Sequence, residues 1–331
     1  MKSKKLIIFS IMSSLFLTAC GGGGGGTNEP SDTPDSKLPS PVKLTIEEQI
    51  ATTFPDTVLA SCVQTAVDDM KANGDTPKLL SDIKSLNCRN ELIESTEGVE
   101  SLTNLDSLYL NSDKITAINL SSNEELRYLT LDDAKLTSLD LSKNMELLSL
   151  SVDNVGLKQI DLTNNSRLKL LHSNFNELSE IDISNNLQLE YISIVGNNLT
   201  TIDVIPHTKL VKLALNSNDL TSVDVSKNLE LTELQATNNQ IDFIDLSANM
   251  LLKRILLFNN KLEKIDISNN VMLETISLVS NELTQVDFSS NSKLEFLMLK
   301  NNNLTHIDLS SNPKIKHENV SVDPSVTVTW L

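Results

Sequence analysis

Apolar and polar residues alternate along this chain in a unit that repeats every 21 residues. The unit is L-x-x-L-x-L-x-x-N-x-L-x-x-I-D-L-S-x-N-x-x, with apolar residues at repeat positions 1, 4, 6, 11, 14 and 16. These intervals fit no helical stripe, whereas positions 4 and 6, and positions 14 and 16, fit short strands separated by turns. The repeats start without insertions at Leu105, Leu126, Leu147, Leu168, Leu189, Leu210, Leu231, Leu252, Leu273 and Leu294. One unit cannot bury six apolar side chains alone, so the pattern predicts a stacked solenoid with one continuous core.

Asparagine occupies repeat position 9, where the chain must leave the first strand and turn. It stands at Asn176, Asn197, Asn218, Asn239, Asn260, Asn281 and Asn302. A stacked amide side chain can pair with backbone groups exposed by that turn, in its own coil and the next. The first three repeats carry Asp113, Ala134 and Val155 instead, so we expect an interrupted ladder and looser geometry near that end.

The pattern L-x-x-L-x-L-x-x-N-x-L resembles the leucine-rich repeat family, and its 21-residue form ending in I-D-L-S-x-N is similar to bacterial internalin-type members. The resemblance covers about residues 54 to 312 and includes a start, "FPDTVLASCVQTAVDDM", that is similar to the internalin cap. It implies a right-handed, mostly β leucine-rich repeat solenoid with parallel strands on its concave face and an N-terminal helical cap. It also implies recognition of a protein partner, whose identity does not follow from the motifs.

The segment before the regular repeats predicts a helix that covers the first coil. Its apolar stripe consists of Leu59, Cys62, Val63, Ala66, Val67 and Met70. The helix is predicted to end at Asn73 and Gly74. Cys88 takes the inward sixth position of an irregular repeat that begins near Ile83. A disulfide between Cys62 and Cys88 is the first interpretation, and two buried free thiols are the alternative.

Composition divides the chain into five segments. Residues 1–19 have a basic start and a short apolar run before Cys20, and "LTAC" resembles the lipobox of bacterial lipoproteins, which implies removal of 1–19 and acylation of Cys20. An ordinary secretory signal is the alternative. Residues 20–43 are a Gly/Pro/Ser-rich tether, 44–104 the helical cap and irregular first repeat, 105–314 the ten repeats, and 315–331 a C-terminal cap. In the last segment "VTVTW" predicts a strand, with Trp330 covering the final coil.

The lipobox resemblance implies a lipid anchor in the bacterial outer membrane. Gly21, where inner-membrane lipoproteins of enteric bacteria usually have Asp, favours the outer membrane by analogy. The sequence leaves open whether the protein faces the periplasm or the cell surface. Contact with the membrane is expected through the acyl chains only. The formal net charge of −17 argues against nucleic-acid binding, because such a surface repels phosphate backbones.

Aspartate recurs at repeat position 15, between two inward-facing positions, so strand alternation predicts that it points outward on the convex side. The file consists of Asp140, Asp161, Asp182, Asp203, Asp224, Asp245, Asp266, Asp287 and Asp308, headed by Asn119. Carboxylates stacked about 4.8 Å apart repel one another. Hydrogen bonds from hydroxyls such as that of Ser268, or from turn amides, are the favoured compensation, and bridging calcium is the alternative.

Repeat positions 3, 5, 7 and 8 face outward on the concave strand and are not needed for the core. One apolar and aromatic group there contains Tyr109, Tyr128, Leu170, His172, Phe175, Tyr191 and Val195, and a second contains Leu256, Phe258, Val279, Phe296 and Met298. Lys212, Glu233, Gln235 and Arg254 lie between them. Such residues on a polar, acidic exterior predict a partner-binding surface, with scattered surface apolar residues as the alternative.

Catalysis has little support in the sequence, and no cofactor is expected. The histidines His172, His207, His306 and His317 lie in separate coils, and no pair has metal-ligand spacing. His207 follows Pro206 and replaces the usual asparagine at position 19, which indicates an altered turn. The sequence therefore predicts a membrane-anchored protein-binding module, receptor-like or adhesin-like. The alternative is a structural acidic spacer or envelope-assembly component without a specific ligand.

Overall fold

Twelve parallel strands form the main sheet, and each strand is one step of a solenoid. The computed structural model describes residues 43–89 and 92–331. The predicted signal peptide, Cys20 and all but the last residue of the tether lie outside the described residues. Leu44–Leu331 forms one compact unit.

The strands of the main sheet follow one another in chain order. They are β1 Ser85–Cys88, β2 Ser107–Asn111, β3 Tyr128–Asp132, β4 Ser149–Ser151, β5 Leu170–His172, β6 Tyr191–Ser193, β7 Lys212–Ala214, β8 Glu233–Gln235, β9 Arg254–Leu256, β10 Thr275–Ser277, β11 Phe296–Met298 and β13 Val320–Ser321. From β2 to β11 each residue pairs with its equivalent one repeat later, as Leu171 pairs with Ile192. Leu86 pairs with Leu108, so the first repeat is one residue longer. The predicted leucine-rich repeat solenoid is confirmed.

The core runs continuously through the stack, as the period predicts. The leucines at repeat position 1 from Leu105 to Leu294 are fully buried. Position 14 lies at the rim of this core, since Ile118, Ile160 and Ile181 are only partly buried while Ile307 is buried. Each coil covers the apolar faces of its neighbours, so only the end coils need separate lids.

The second strand predicted at positions 14 to 16 is wrong for most coils. It forms only as β12 His306–Asp308 in the last regular coil, where it pairs with β14 Thr327–Thr329. In the other described coils no backbone hydrogen bond joins positions 14 to 16 of successive turns. The carbonyl group at position 16 accepts other hydrogen bonds in place of a strand bond. The carbonyl oxygen of Leu141, for example, accepts from the backbone N–H of Asn144 and from the side-chain Nδ2 of Asn165.

Two helices close the N-terminal end, α1 Ile46–Thr53 and α2 Thr57–Ala72. Helix α2 buries Leu59, Val63 and Val67 against the core, as its stripe predicts. It ends at Ala72, with Asn73 as its C-cap, followed by Gly74 at φ +94°. Helix α1 was not predicted from the sequence, although Thr45 and Glu48 form a capping box at its start.

The sulfur atoms of Cys62 and Cys88 are bonded, with their Cα atoms 6.0 Å apart. This disulfide joins α2 to β1, so the cap is covalently tied to the first coil. The side chain of Asp56 forms a second connection between the cap and the first coil. Its Oδ1 caps α2 by accepting from the N–H groups of Val58 and Leu59, and its Oδ2 accepts from those of Glu94 and Ser95.

The C-terminal end is covered by the last 17 residues, 315–331. Strand β13 extends the main sheet beside β11, and β14, where "VTVTW" predicts a strand, lies beside β12. The Trp330 ring packs against the core and against His317, with ring centroids 3.8 Å apart. Among the described residues no helix combines the length and apolar character needed to cross a bilayer.

Candidate partner-binding surface

The main sheet presents the predicted concave residues in files, because residues one repeat apart are paired across neighbouring strands. The twelve residues singled out as partner-binding are Tyr109, Tyr128, Leu170, His172, Phe175, Tyr191, Lys212, Arg254, Leu256, Phe258, Phe296 and Met298, and each is exposed or half-buried. Ten lie within strands, and Phe175 and Phe258 follow β5 and β9. The geometry therefore brings them onto one face of one sheet.

The first apolar group has a packed centre on β5 and β6. The rings of His172 and Tyr191 stack with centroids 4.8 Å apart and an interplanar angle of 17°. Leu170 pairs with Tyr191 across the two strands and is 40% exposed. Phe175 follows in the turn after β5 and is 62% exposed. We call these four residues, which lie on or next to β5 and β6, the aromatic pad.

Arginines lie over the two tyrosines nearest the cap. The guanidinium carbon of Arg89 lies 4.9 Å from the centroid of the Tyr109 ring, and that of Arg127 lies 5.9 Å from the Tyr128 ring. Arg127 also forms a salt bridge with Asp106. A partner that stacks on these tyrosines must share their faces with these cations.

Charges in the middle of the face are paired along the file at repeat position 3. Glu233 lies between Lys212 and Arg254, with nitrogen-to-oxygen distances of 3.5 Å to each. The three charges separate the aromatic pad from the second apolar group, which contains Leu256, Phe258, Phe296 and Met298. This second group includes two exposed residues, Phe296 at 46% and Met298 at 37%.

Repeat position 8 forms a file of residues with left-handed backbone at one edge of the concave face. Its members are Asp133, Asn154, Phe175, Gly196, Ser217, Asn238, Asn259, Ser280 and Asn301, with φ between +54° and +66°. In each of these coils but the last, the N–H of this residue donates to the carbonyl group at position 7 of the next coil, as Phe175 donates to Val195 at 2.7 Å. Asn301 donates to Asp323 instead. The contact between coils therefore fixes the conformation.

The predicted asparagine ladder at position 9 is present; its side-chain bonds run to its own coil, as predicted, and to the preceding coil in place of the next. The Oδ1 atom of Asn239 accepts from the N–H of Leu220 at 3.0 Å, and its Nδ2 donates to the carbonyl group of Leu215 at 2.9 Å. The same bonds to the preceding coil recur at Asn197, Asn218, Asn260, Asn281 and Asn302. Asn176 begins the ladder by accepting from Val155 and Leu157.

The amide ladder stops before Asn176, and backbone groups replace it. The N–H of Leu136, equivalent to that of Leu220, donates to the carbonyl oxygen of Val155 at 2.9 Å. Apolar Ala134 and Val155 fill the space of the missing amides and are buried.

A second asparagine ladder lies at position 19 and is buried, which was not predicted from the sequence. It contains Asn123, Asn144, Asn165, Asn186, Asn228, Asn249, Asn270, Asn291 and Asn312, which are at most 2% exposed. Each Nδ2 donates to two carbonyl groups of the preceding coil, as Asn249 donates to Val225 and Asn228. His207 occupies the same file, fully buried, with Nε2 3.1 Å from the carbonyl oxygen of Ile183. The regular recurrence of asparagine at position 19 could have predicted this ladder.

The aspartates at position 15 point outward, and all nine are exposed. Each accepts from the backbone N–H two residues later, at 2.8 to 3.0 Å. At Asp161 the hydroxyl and the backbone N–H of Thr163 lower the pKa, against desolvation and the charges of Asp140 and Asp182. Hydrogen bonding likewise lowers the pKa of Asp140, Asp182, Asp224, Asp245, Asp266, Asp287 and Asp308. Within the described residues, no group of three acidic, His or Cys side chains is placed to hold a metal ion.

An apolar row on the flank of the solenoid, at position 20, was missed. Leu229, Met250 and Val271 occupy three successive coils and are 55%, 60% and 47% exposed, and Leu187 lies further along the same file. We call these four residues the flank row. They lie outside the six core positions, so the repeat alignment could have revealed them.

Comparison with solved structures agrees with this geometry. The functional domain of InlJ from Listeria monocytogenes, which includes a cysteine ladder, is 33% identical with a TM-score of 0.77. The match covers 83% of this chain and 61% of that domain, so the chain spans less than two thirds of its length. The internalin InlF from Listeria monocytogenes is 22% identical with a TM-score of 0.65, covering 88% and 98% of the two chains. A leucine-rich repeat protein of Leptospira interrogans is 18% identical with a TM-score of 0.60, covering 76% and 78%.

No family model and no curated protein matches the chain. The position-9 ladder here consists of asparagines, and the two cysteines of the described residues both belong to the cap disulfide. Period, register and structural neighbours agree on the fold: the chain is a leucine-rich repeat solenoid, similar to solved structures that include internalin-type proteins.

Proposed function

We propose that this protein is a membrane-anchored, receptor-like or adhesin-like module that binds a protein partner on the concave face of its solenoid. The observation that carries the proposal is the exposure of apolar and aromatic side chains on one sheet face of an acidic molecule. Phe175, Leu170, Phe296 and Met298 are each more than a third exposed there. The solenoid does not need these side chains for its core, and exposed apolar patches of this kind are typical of protein-interaction sites.

The structural neighbours support a protein-binding role, because leucine-rich repeat proteins are typically protein-interaction modules. The negative charge of the chain is a further argument for a protein, since it opposes contact with nucleic-acid phosphates. No described feature requires a cofactor or a reaction. A spacer without a ligand would gain nothing from an exposed aromatic pad.

The test is a comparison of two variants that lose exposed or half-buried apolar side chains on different faces. The concave variant replaces Tyr128, Tyr191, Phe258 and Phe296 by Ser, and the flank variant replaces Leu229, Met250 and Val271 by Ser. Envelope and cell-surface protein fractions are passed over each immobilised protein, and the bound proteins are quantified by mass spectrometry. We expect one partner to be retained by the wild type and the flank variant and lost by the concave variant.

Thermal unfolding provides the control for this comparison. The concave substitutions lie at exposed or half-buried positions, so we expect an unchanged melting temperature to within a few degrees. Equal capture by all three proteins would sink the concave-face proposal and favour a spacer or envelope-assembly role. Loss of capture together with a collapsed melting transition would count against a binding role for these side chains.

Anchoring through an acylated Cys20 in the outer membrane is part of the same proposal and rests on the lipobox resemblance. A Cys20→Ser variant should release the protein from the membrane fraction and lose incorporation of radiolabelled palmitate. Protease treatment of intact cells addresses its orientation. Loss of the folded domain before lysis would indicate exposure at the cell surface, whereas protection until lysis would indicate the periplasm.

A further inference from the structure

We infer that Phe175 is the anchor of the concave surface and that it receives a partner segment carrying a Lys or Arg next to an apolar side chain. This inference rests on the proposed function and specifies the chemistry of its partner. Three observations carry it: the backbone conformation of Phe175, the space made for its ring by Gly196, and three unpaired carboxylates in the neighbouring coils.

Phe175 adopts a backbone conformation that its residue type disfavours. Its φ is +54°, and its equivalents in the file at position 8 are Asp, Asn, Ser or Gly. Asn, Asp and Gly adopt this region readily, whereas a bulky side chain with φ > 0 is an outlier. The bond from its N–H to the carbonyl oxygen of Val195 holds the residue there. Residues in sparsely populated backbone regions cluster at functional sites, so an exposed phenylalanine here motivates a binding role.

The ring of Phe175 lies over the backbone of Gly196, one coil later. A Cβ atom at Gly196 would come within 2.7 Å of Phe175 Cδ1 and 3.1 Å of Cε1, so any larger residue would displace the ring. The ring nevertheless remains 62% exposed. The chain therefore supports one side of the ring and leaves the other side open. The stacked rings of His172 and Tyr191 lie on β5 and β6, the strands of the same two coils.

Three carboxylates lie on the two coils that precede Phe175, along the same edge of the concave face. Asp133 belongs to the file at position 8, and Asp132 and Asp153 occupy position 7. Their oxygens accept hydrogen bonds from neutral groups, such as that from Asn154 Nδ2 to Asp133 Oδ1 at 2.8 Å. No described lysine or arginine forms a salt bridge with any of the three.

Some other charges of the concave face are paired with opposite charges, unlike these three carboxylates. Glu233 has two cations within 3.5 Å, and Asp106 is paired with Arg127. Repeats are spaced by about 5 Å, so Asp133 and Phe175, two coils apart, are separated by roughly 10 Å along the file. A cationic side chain and a neighbouring apolar one can span that distance. Charge complementarity therefore favours a basic and apolar segment, and it disfavours an acidic one.

The test uses a random peptide library displayed on phage, selected on the immobilised full chain. We expect enrichment of peptides in which Lys or Arg lies within a few residues of a Leu, Met or aromatic residue. The enriched peptides are then synthesised, and their affinities are measured by fluorescence anisotropy. Phe175→Asn should weaken binding by about tenfold or more, the effect of an interface anchor. Asp133→Asn should weaken it about two- to fivefold, mainly at low salt.

The Phe175→Asn variant separates a binding role from a structural one. Asn occupies position 8 in four other coils, so the substitution should relieve the backbone and raise the melting temperature by roughly one to four degrees. Binding and stability are thus expected to change in opposite directions. A lower melting temperature would assign the ring a packing role and overturn the inference.

Matched controls exist on the convex face. Phe243 is 55% exposed there, so Phe243→Asn removes a similar ring without touching the pad. Asp266→Asn removes one charge, and Asn119 in the same file accepts the equivalent turn N–H, so the fold should tolerate it. Both variants should bind the enriched peptides like the wild type.

Several outcomes would overturn the inference: no enrichment on the full chain, enriched peptides that lack a cation, or equal affinity in Phe175→Asn. If partner capture fails in the concave quadruple variant while Phe175→Asn binds normally, the concave function stands and the anchor is wrong. If capture is unaffected in the quadruple variant, the proposed function itself fails.

Discussion

The side-chain oxygen of Asn239 accepts a hydrogen bond from the backbone nitrogen of Leu220 in the preceding coil, at 3.0 Å. The same amide donates to the carbonyl oxygens of Leu215 and Ala236. One side chain thus satisfies groups in two coils, at a turn where no strand partner is available. Asn239 is 9% exposed, so water cannot easily replace it.

Asn239→Ala should therefore lower the free energy of unfolding by about 2–3 kcal/mol, because it leaves the Leu220 N–H buried without a partner. Urea denaturation followed by circular dichroism measures this loss. Asn198→Ala is the matched control, since Asn198 is exposed and should change stability by less than about 0.5 kcal/mol. Similar losses in the two variants would contradict a special role for the ladder.

The Cys62–Cys88 disulfide should stabilise the cap. It closes a sequence separation of 26 residues, and loop-closure entropy then gives about 3.5 kcal/mol. A Cys62→Ala, Cys88→Ala double variant should melt at a lower temperature, and the wild type should move toward it when a reducing agent is added. An unchanged melt under reduction would contradict this contribution.

Asp56 should make the cap sensitive to acid. Desolvation raises the pKa of this carboxyl, but four backbone N–H donors outweigh it and lower the pKa below the ordinary 3.8. A carboxyl with a lowered pKa in the folded state binds fewer protons there than in the unfolded state. Its contribution is therefore present above its unfolded pKa and is lost as the pH falls through its folded pKa.

Asp56→Ala should lower stability at neutral pH by roughly 2 kcal/mol through loss of the helix cap and of the bonds to Glu94 and Ser95. It should also flatten the loss of stability below about pH 4. Asp69→Ala on the same helix is the charge control, because the Asp69 side chain is exposed. Denaturation series at several pH values compare the wild type, Asp56→Ala and Asp69→Ala. If the free energy of unfolding falls equally steeply at acidic pH in all three proteins, the assignment is contradicted.

The aspartate file should respond to salt and acid and not to calcium. Each carboxylate already accepts a turn N–H, and one carboxylate per coil falls short of the six to eight oxygens that calcium takes. We expect equal melting temperatures in chelator and in millimolar calcium. Because the pKa of Asp266 and most of its file is lowered, protonation at low pH should weaken the turn bonds. A rise in melting temperature with calcium would revive the bridging alternative.

The period of 21 residues was sufficient to predict the solenoid, its core leucines and the outward direction of Asp266. These features depend on residue type at a fixed spacing, which the sequence displays directly. Cys62 and Cys88 were also paired correctly, because the helical stripe and the repeat register place both at one interface.

Other features depend on contacts between coils and were not predicted. The left-handed backbone of Phe175 follows from its bond to Val195 in the next coil, which no local propensity encodes. The missing convex strand follows from an asparagine side chain that occupies the carbonyl group of Leu141. The flank residue Met250 belongs neither to the core positions nor to the concave positions, so neither pattern predicts its exposure.

In the described coils before the last, positions 14 to 16 lack backbone pairing, which makes the two faces mechanically unequal. On the concave side, strand hydrogen bonds fix the distance between coils, so the outward-facing side chains of the sheet are held at a constant spacing. On the convex side, successive coils meet through side chains such as Ile181 and Asn186, which tolerate small changes of spacing more readily than a strand ladder. We therefore expect bending of the solenoid to change the spacing of the coils on the convex side. The spacing of the side chains on the concave sheet should then stay constant.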